Sequence, residues 1–378
     1  MDPAHHSEEF GTRFLTRFAD CQSALSHPDL LVPDREWCAR ELTTWAARPA
    51  ADFFYSSMLA ANGPDHDRLR RPVARAFTAR RVAALRTAVE AVTDDLVDTF
   101  AEAASGGDPA NFQELVGHPL PVAVVGRLIG VPDAERQHFA ALGRGATRLL
   151  EPIRSPEDWT RADRAVVALR EYFADLLRAR RARPADDLAS ALLDQRASDG
   201  HPLTGRELVD LLLLVFVAGF ETTAGLLGLA VFALLTHPDQ LALVRADPAL
   251  RSAAVEEALR WDGPVMMTER IAARPLEVAG AVLPAGASVT TVFAAANRDP
   301  LEHPDPDAFL VRRPGTKVLS FSAGVHHCLG ASLARMEGAA LIGRLFDRLP
   351  ALALAGEPVR RDSVALRSFD DLPLAAVG

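Results

Sequence analysis

From about residue 64 to 262, apolar residues recur three and four positions apart, the spacing that gives a helix one buried stripe. The pattern runs through Val82–Ala104, Ala134–Leu150, Arg161–Ala182 and Thr204–Leu235. Pro132, Pro184, Pro202, Pro238 and Pro248 punctuate it, and proline ends helices because it lacks a backbone N–H. Asp247-Pro248 reads as a helix start, with Asp247 as N-cap and Pro248 in the first turn. After Pro264 the texture changes. Thr268–Ala272, Glu277–Val278 and Ser288–Val292 are short runs between prolines and glycines, which predicts strands and hairpins. Arg298–Thr316 is a proline-rich meander, and Leu329–Leu349 predicts a last amphipathic helix. The expectation is a mainly α protein with small β-sheets, one helix-rich domain over residues 1–378 around a long central helix.

That central helix carries a second meaning. Leu211–Leu235 holds a single charge, Glu221, and is long enough to cross a bilayer. Glu221, Thr222 and Thr223 sit near its middle, where an acid costs about 3 kcal/mol or more in lipid. No basic residue flanks the run closely. A buried helix is expected, and no membrane. Met1–Phe10 is polar, without the apolar run of a secretory signal, which makes the cytoplasm the expected compartment.

Composition narrows the chemistry. With 378 residues, 49% of them hydrophobic, the chain can bury a large core. A net charge of −9 leaves no overall basic footprint for nucleic acid. All but one of the 41 cations are arginine, Lys317 being the exception. The three cysteines, Cys21, Cys38 and Cys328, are too few for a disulfide framework or a four-thiolate iron–sulfur cluster. Cys21 and Cys38 are expected to be ordinary packed residues.

Cys328 is different. It lies in Phe321-Ser-Ala-Gly-Val-His-His-Cys-Leu-Gly330. A thiolate that binds iron must be ionised, shielded and held by backbone N–H groups. Gly324 permits a tight turn. Gly330 permits close approach of a bulky flat ligand. A helix beginning near Leu329 brings its positive end to the sulfur and lowers the thiol pKa. Phe321 can pack over the sulfur and keep water away. By average residue usage, the spacing Phe-x-x-Gly-x-x-x-Cys-x-Gly should arise by chance in about one chain in a thousand of this length.

This segment resembles the haem-binding loop of the cytochrome P-450 family, and further segments agree in order over about residues 12–378. Ser322 stands where the family usually has glycine, and Val318 where bacterial members often have histidine. The resemblance implies the cytochrome P-450 fold, haem b as cofactor and Cys328 as the axial ligand of its iron. Gly11–Leu25 resembles the family's early strand and helix, so the usual preceding helix and first strand are expected to be missing, an N-terminal truncation.

Within the central helix, Ala218-Gly-Phe-Glu-Thr-Thr223 places an acid and a hydroxyl in apolar surroundings. Gly219 costs about 1 kcal/mol relative to alanine there, which calls for room for a ligand or a local bulge. The resemblance assigns Thr222 and Glu221 to oxygen activation, with Thr222 holding a water and Glu221 relaying protons from solvent. His66 and Arg70, at i and i+4, together with Arg270 and His326, match the family's haem-propionate positions. Glu257-Ala-Leu-Arg260 matches a buried structural pair that joins an arginine of the meander, Arg313 or, as the alternative, Arg312. The run Arg68, Arg70, Arg71, Arg75, Arg80 and Arg81 matches the surface that receives an acidic ferredoxin.

The function implied is that of a haem-thiolate monooxygenase activating O2 to hydroxylate or epoxidise an apolar small molecule, in bacterial secondary metabolism such as antibiotic biosynthesis. Aryl coupling or desaturation by the same chemistry, and a non-catalytic partner protein, are the alternatives. Electrons would come from a separate ferredoxin and ferredoxin reductase, none being fused, to a chain acting as a monomer. The substrate is free or tethered to a carrier protein. Its pocket would draw on Thr43–Ala61, Gly145–Trp159, Phe216–Glu221, Val265–Thr268 and Ser368–Phe369, with Met266, Met267, Phe216 and Phe369 as apolar lining.

Overall fold

The computed structural model describes residues 4–41, 47–105, 108–150, 155–194 and 203–376, without the side chains at 41 and 136–138. Pro202 and the parts of the expected pocket at 43–46 and 151–154 lie outside the described residues. The chain divides into two compact units: Met1–Val32, Thr93–Gly117 and Thr222–Gly378 in the first, Pro33–Val92 and His118–Glu221 in the second.

The first unit holds a five-stranded sheet in the order Ala4–Ser7, Thr12–Leu15, Ser288–Val292, Met267–Ala272, Leu30–Leu31. Thr12–Leu15 runs parallel to Ser288–Val292, and the other neighbours are antiparallel. Ala4–Ser7 supplies a first strand that was expected to be missing. It is an edge strand whose two histidines face solvent, so the alternation that marks a half-buried strand is absent from its sequence. Leu15, Phe18, Cys21, Leu25, Val289, Phe293 and Leu319 form a core at this sheet. Cys21 donates to the Leu15 carbonyl at 3.2 Å, and burial pushes its thiol up to about 12, so it is a packed, unreactive residue. Cys38 is buried as well.

The meander has little regular structure, yet several of its carbonyls are met by buried arginines. Arg260 is fully buried and uses all five of its N–H groups. Two meet Glu257 at 2.7 and 2.8 Å, and the others reach the carbonyls of Asn297, Pro306 and Ala308. Arg313 meets both oxygens of Glu257 at 3.2 and 3.3 Å and donates to Pro304, Asp305 and Ala308. Arg313 rather than Arg312 therefore completes the group. Guanidinium donors replace the ladder that an irregular segment lacks.

The second unit is helical. Phe139, Tyr172, Phe173, Phe216 and Phe220 pack edge to face or stacked, with centroids 4.3 to 6.3 Å apart. Gly143 makes room for this cluster, since a Cβ there would overlap the ring of Phe220. The helix Pro156–Ala182 opens with a capping box between Ser155 and Asp158.

The central helix spans Gly205–Thr236, its residues through Glu221 in the second unit and the rest in the first. It is α-helical throughout, so Gly219 marks no bulge. A Cβ at Gly219 would stand 3.2 Å from Val125, which explains the small residue by crowding. The helix is long and apolar enough to span a membrane, but 83% of its apolar window is buried within the protein. Other boundaries moved by a few residues. Val82–Ala104 is split at Leu85 into Ala79–Ala84 and Arg86–Ala104. Asp247 does accept the N–H of Ala249 at 3.0 Å, but the helix begins at Leu250, with Ala249 as its N-cap.

Candidate functional site

Cys328 is the one exposed cysteine. Its loop closes on itself: the Cys328 N–H donates to the Phe321 carbonyl at 2.9 Å, and Ser322 N–H to Leu319 at 2.7 Å. Gly324 is left-handed (φ +67°), and a Cβ there would stand 2.6 Å from the Leu25 carbonyl, so both conformation and space demand glycine. Gly330 is the N-cap of the helix Ala331–Arg348 and needs no special dihedral. A Cβ there would have only Cys328 Sγ within 4 Å, at 3.9 Å, so the space at this glycine borders the sulfur. The eighteen-residue helix that follows directs its positive end at the loop. Phe321 is half-buried, with the Arg335 guanidinium 4.5 Å from its ring, and Arg335 is in turn paired with Glu256. His326 is half-buried in a short 3-10 turn, Gly324–His326.

Arg270 tests whether these residues fit haem. It is 2% exposed on strand Met267–Ala272. It donates to Glu269 O at 2.8 Å and Thr268 Oγ1 at 3.3 Å, and among the described residues it meets no carboxylate. Burial pushes its pKa down to about 10. A guanidinium buried without a counter-ion is costly unless an anion arrives, and a haem propionate is such an anion.

In the first unit, then, Cys328, Phe321, Gly324, Gly330 and His326 share one loop, with Arg270 on the sheet and Thr222 on the central helix. In the central helix, buried over most of its length, Ala218 is exposed and Gly219 and Thr222 are half-buried. These three lie on one face, which is where the helix opens. Glu221 is buried and points about 100° away from Thr222.

In the second unit, His66 and Arg70 lie one turn apart on the helix Gly63–Ala74, whose start is set by Pro64 and a left-handed Gly63. His66 is buried, and burial first, then the Arg70 charge, lowers its pKa, so it is neutral at pH 7 until an anion comes near. Arg68 leaves the expected basic surface: it pairs with Glu207 at 2.6 Å. Arg71, Arg75, Arg80 and Arg81 are exposed. Two expected pocket residues are core instead. Phe216 belongs to the aromatic cluster, and Phe369 packs on Phe232 under Arg360. Met266 and Met267 remain half-buried.

The chain belongs to the cytochrome P450 family, whose profile matches residues 40–353. It is a cytochrome P450 monooxygenase, and its cofactor is haem b. Among curated relatives it is 38% identical, over 86% of this chain and 80% of the relative, to 6-deoxyerythronolide B hydroxylase of Saccharopolyspora erythraea. It is 39% identical, over 84% and 75%, to the cytochrome P450 monooxygenase PikC of Streptomyces venezuelae. Among solved structures it resembles P450BioI in complex with an acyl carrier protein ligated to hexadec-9Z-enoic acid, at a TM-score of 0.91, 30% identity and coverage of 100% and 95%.

Gln113, Gly225 and Gly228 were not singled out by sequence. For the glycines the signal was there, two more of them, three apart, in the middle of a long helix.

Proposed function

We propose that this monooxygenase hydroxylates or epoxidises an apolar small molecule in bacterial secondary metabolism, with Cys328 as the thiolate ligand of its haem iron. The carrying observation is the Cys328 loop, which sets an exposed cysteine between an obligatory left-handed glycine and a helix N-terminus. Bound haem supplies the iron at which O2 is activated, one oxygen atom going to substrate and the other leaving as water.

The chain's own residues do the rest. Arg270, His326, His66 and Arg70 hold the propionates. Phe321, Gly324 and Gly330 shape the loop that shields the sulfur. Thr222, on the open face of the central helix, holds a water and passes on a proton, and Glu221 resupplies it. Electrons come from a ferredoxin and its reductase, received at the exposed arginines Arg71, Arg75, Arg80 and Arg81. We read the chain as one haem-thiolate domain, monomeric and cytoplasmic. The relative named as a 6-deoxyerythronolide B hydroxylase favours a macrolactone-like substrate, and the carrier-bound neighbour favours one that reaches the enzyme on a carrier protein.

The test is the spectrum of the reduced protein under carbon monoxide. A strongly red-shifted Soret band in the wild type, lost in Cys328→Ala, is expected. An unchanged band in that variant would remove Cys328 from the iron. Spin-state shifts on adding a polyketide macrolactone, free or carrier-bound, then separate the substrate classes.

A further inference from the structure

Gln113 is fully buried. It opens a single π-helical turn, Gln113–Gly117, a conformation rare outside functional regions. Asn111 fixes the base of this turn. Its Oδ1 accepts the N–H of Gln113 at 2.9 Å and of Glu114 at 3.3 Å, and its strand pairs with Pro373–Ala376.

From this base the side chain reaches the central helix, where Nε2 donates to the Ala224 carbonyl at 3.0 Å. The orientation of the amide follows from chemistry, since a carbonyl oxygen takes only a donor. Two glycines make the room: a Cβ at Gly228 would overlap Gln113 Oε1, and one at Gly117 would stand 2.8 Å from the same amide. A third, Gly225, lets a second segment press on this stretch, with its Cβ position 2.7 Å from the Arg367 carbonyl.

This arrangement is not what packing alone selects. Gln113 Oε1 is buried with no partner among the described residues, and glycine weakens a helix interior. An apolar side chain at 113 would avoid the unsatisfied oxygen. What the amide adds is one hydrogen bond, and its acceptor lies two residues beyond Thr222.

We propose that Gln113 is a positioning residue for the oxygen-side segment of the central helix: its amide clamps the backbone at Ala224 and so fixes the direction of the Thr222 hydroxyl. This rests on the reading above that Thr222 faces the oxygen side of the haem. The clamp acts from the flank of the helix opposite the open face of Ala218, Gly219 and Thr222 and touches no substrate.

The test uses the reduced holoenzyme with carbon monoxide as probe, and reads the C–O stretching band in the infrared. Thr222→Ala should move the band, because the hydroxyl polarises the probe. Gln113→Met, which fills the space without donating, should shift or broaden it. Gln113→Glu should restore the wild-type band, because a buried carboxyl stays protonated and donates to Ala224. A band moved by Thr222→Ala but untouched by Gln113→Met overturns the Gln113 role alone. A band unmoved by Thr222→Ala removes the Thr222 reading, and the clamp with it. If Gln113→Met does not retain haem, Gln113→Asn, one methylene too short to reach Ala224, replaces it. An unmoved band there overturns the proposal equally.

Discussion

Arg260 and Arg270 are both buried in the same unit, and their surroundings are opposite. Arg260 is met on every N–H, by a carboxylate and three carbonyls. Arg270 has a carbonyl and a hydroxyl but, among the described residues, no counter-ion. A buried charge that is fully matched serves the fold, whereas one left unmatched at a cost to the fold points to a ligand. On the proposed reading, the two arginines separate what the polypeptide needs from what its haem would need.

The strongest way to break this comparison is to strip the matched side. Glu257→Ala leaves Arg260 and Arg313 without their carboxylate and takes the acceptor from Leu310 N–H, at 2.8 Å in the wild type. Removing one partner of a buried ion pair costs about 3–5 kcal/mol. The variant should unfold at a much lower temperature, with or without haem. An unchanged unfolding temperature would show that the group does not hold the meander.

Arg270→Leu should do the reverse. The haem-free protein should be as stable as wild type or more so, because a costly buried cation is gone. Haem should be held about 10- to 100-fold more weakly, the equivalent of a charge-assisted hydrogen bond of about 1.5–3 kcal/mol. Haem transfer to a scavenger protein measures this. Unchanged retention would place the propionates elsewhere.

Glu337 extends the comparison to an acid. It is fully buried in the helix Ala331–Arg348, and its Oε2 has no partner among the described residues. Burial raises its pKa from 4.5 to about 8, so it is kept neutral instead of being matched. The folded protein then holds a proton that the unfolded chain releases above about pH 4.5. Its contribution to stability is complete below that pH and is lost as pH rises through about 8. Glu337→Gln should flatten the decline in unfolding temperature of the holoenzyme between about pH 5 and pH 8. A slope identical to wild type would mean that the carboxyl is charged in the fold.

Such contrasts explain what could be read in advance. The cysteine loop, the pair Glu257 and Arg260 and the central helix are written in short spacings, and local geometry follows from short spacings. Partners distant in sequence are not written there. Nothing in the residues around Phe216 or Phe369 distinguishes a ring that lines a pocket from one that packs on other rings. Ala4–Ser7 is a strand because Thr12–Leu15 pairs with it, although its own sequence has no alternation. Gln113 was invisible because its meaning depends on Ala224, more than a hundred residues away.

The smallest effect lies inside the cysteine loop, at two left-handed residues two positions apart. Gly324 meets its strained φ without penalty and has no space for a Cβ. Ser322 has φ +60° and carries a side chain whose buried hydroxyl has no partner among the described residues. A left-handed L-residue costs about 1–2 kcal/mol, part of which glycine returns as backbone entropy. Ser322→Gly should therefore stabilise the protein by about 1 kcal/mol, and Gly324→Ala should destabilise it, since its Cβ would press on the Leu25 carbonyl. Paired unfolding curves decide the matter. If Ser322→Gly is destabilising, the hydroxyl has a partner in the haem-loaded protein, and Ser322 moves from the unmatched groups of the fold to those that haem completes.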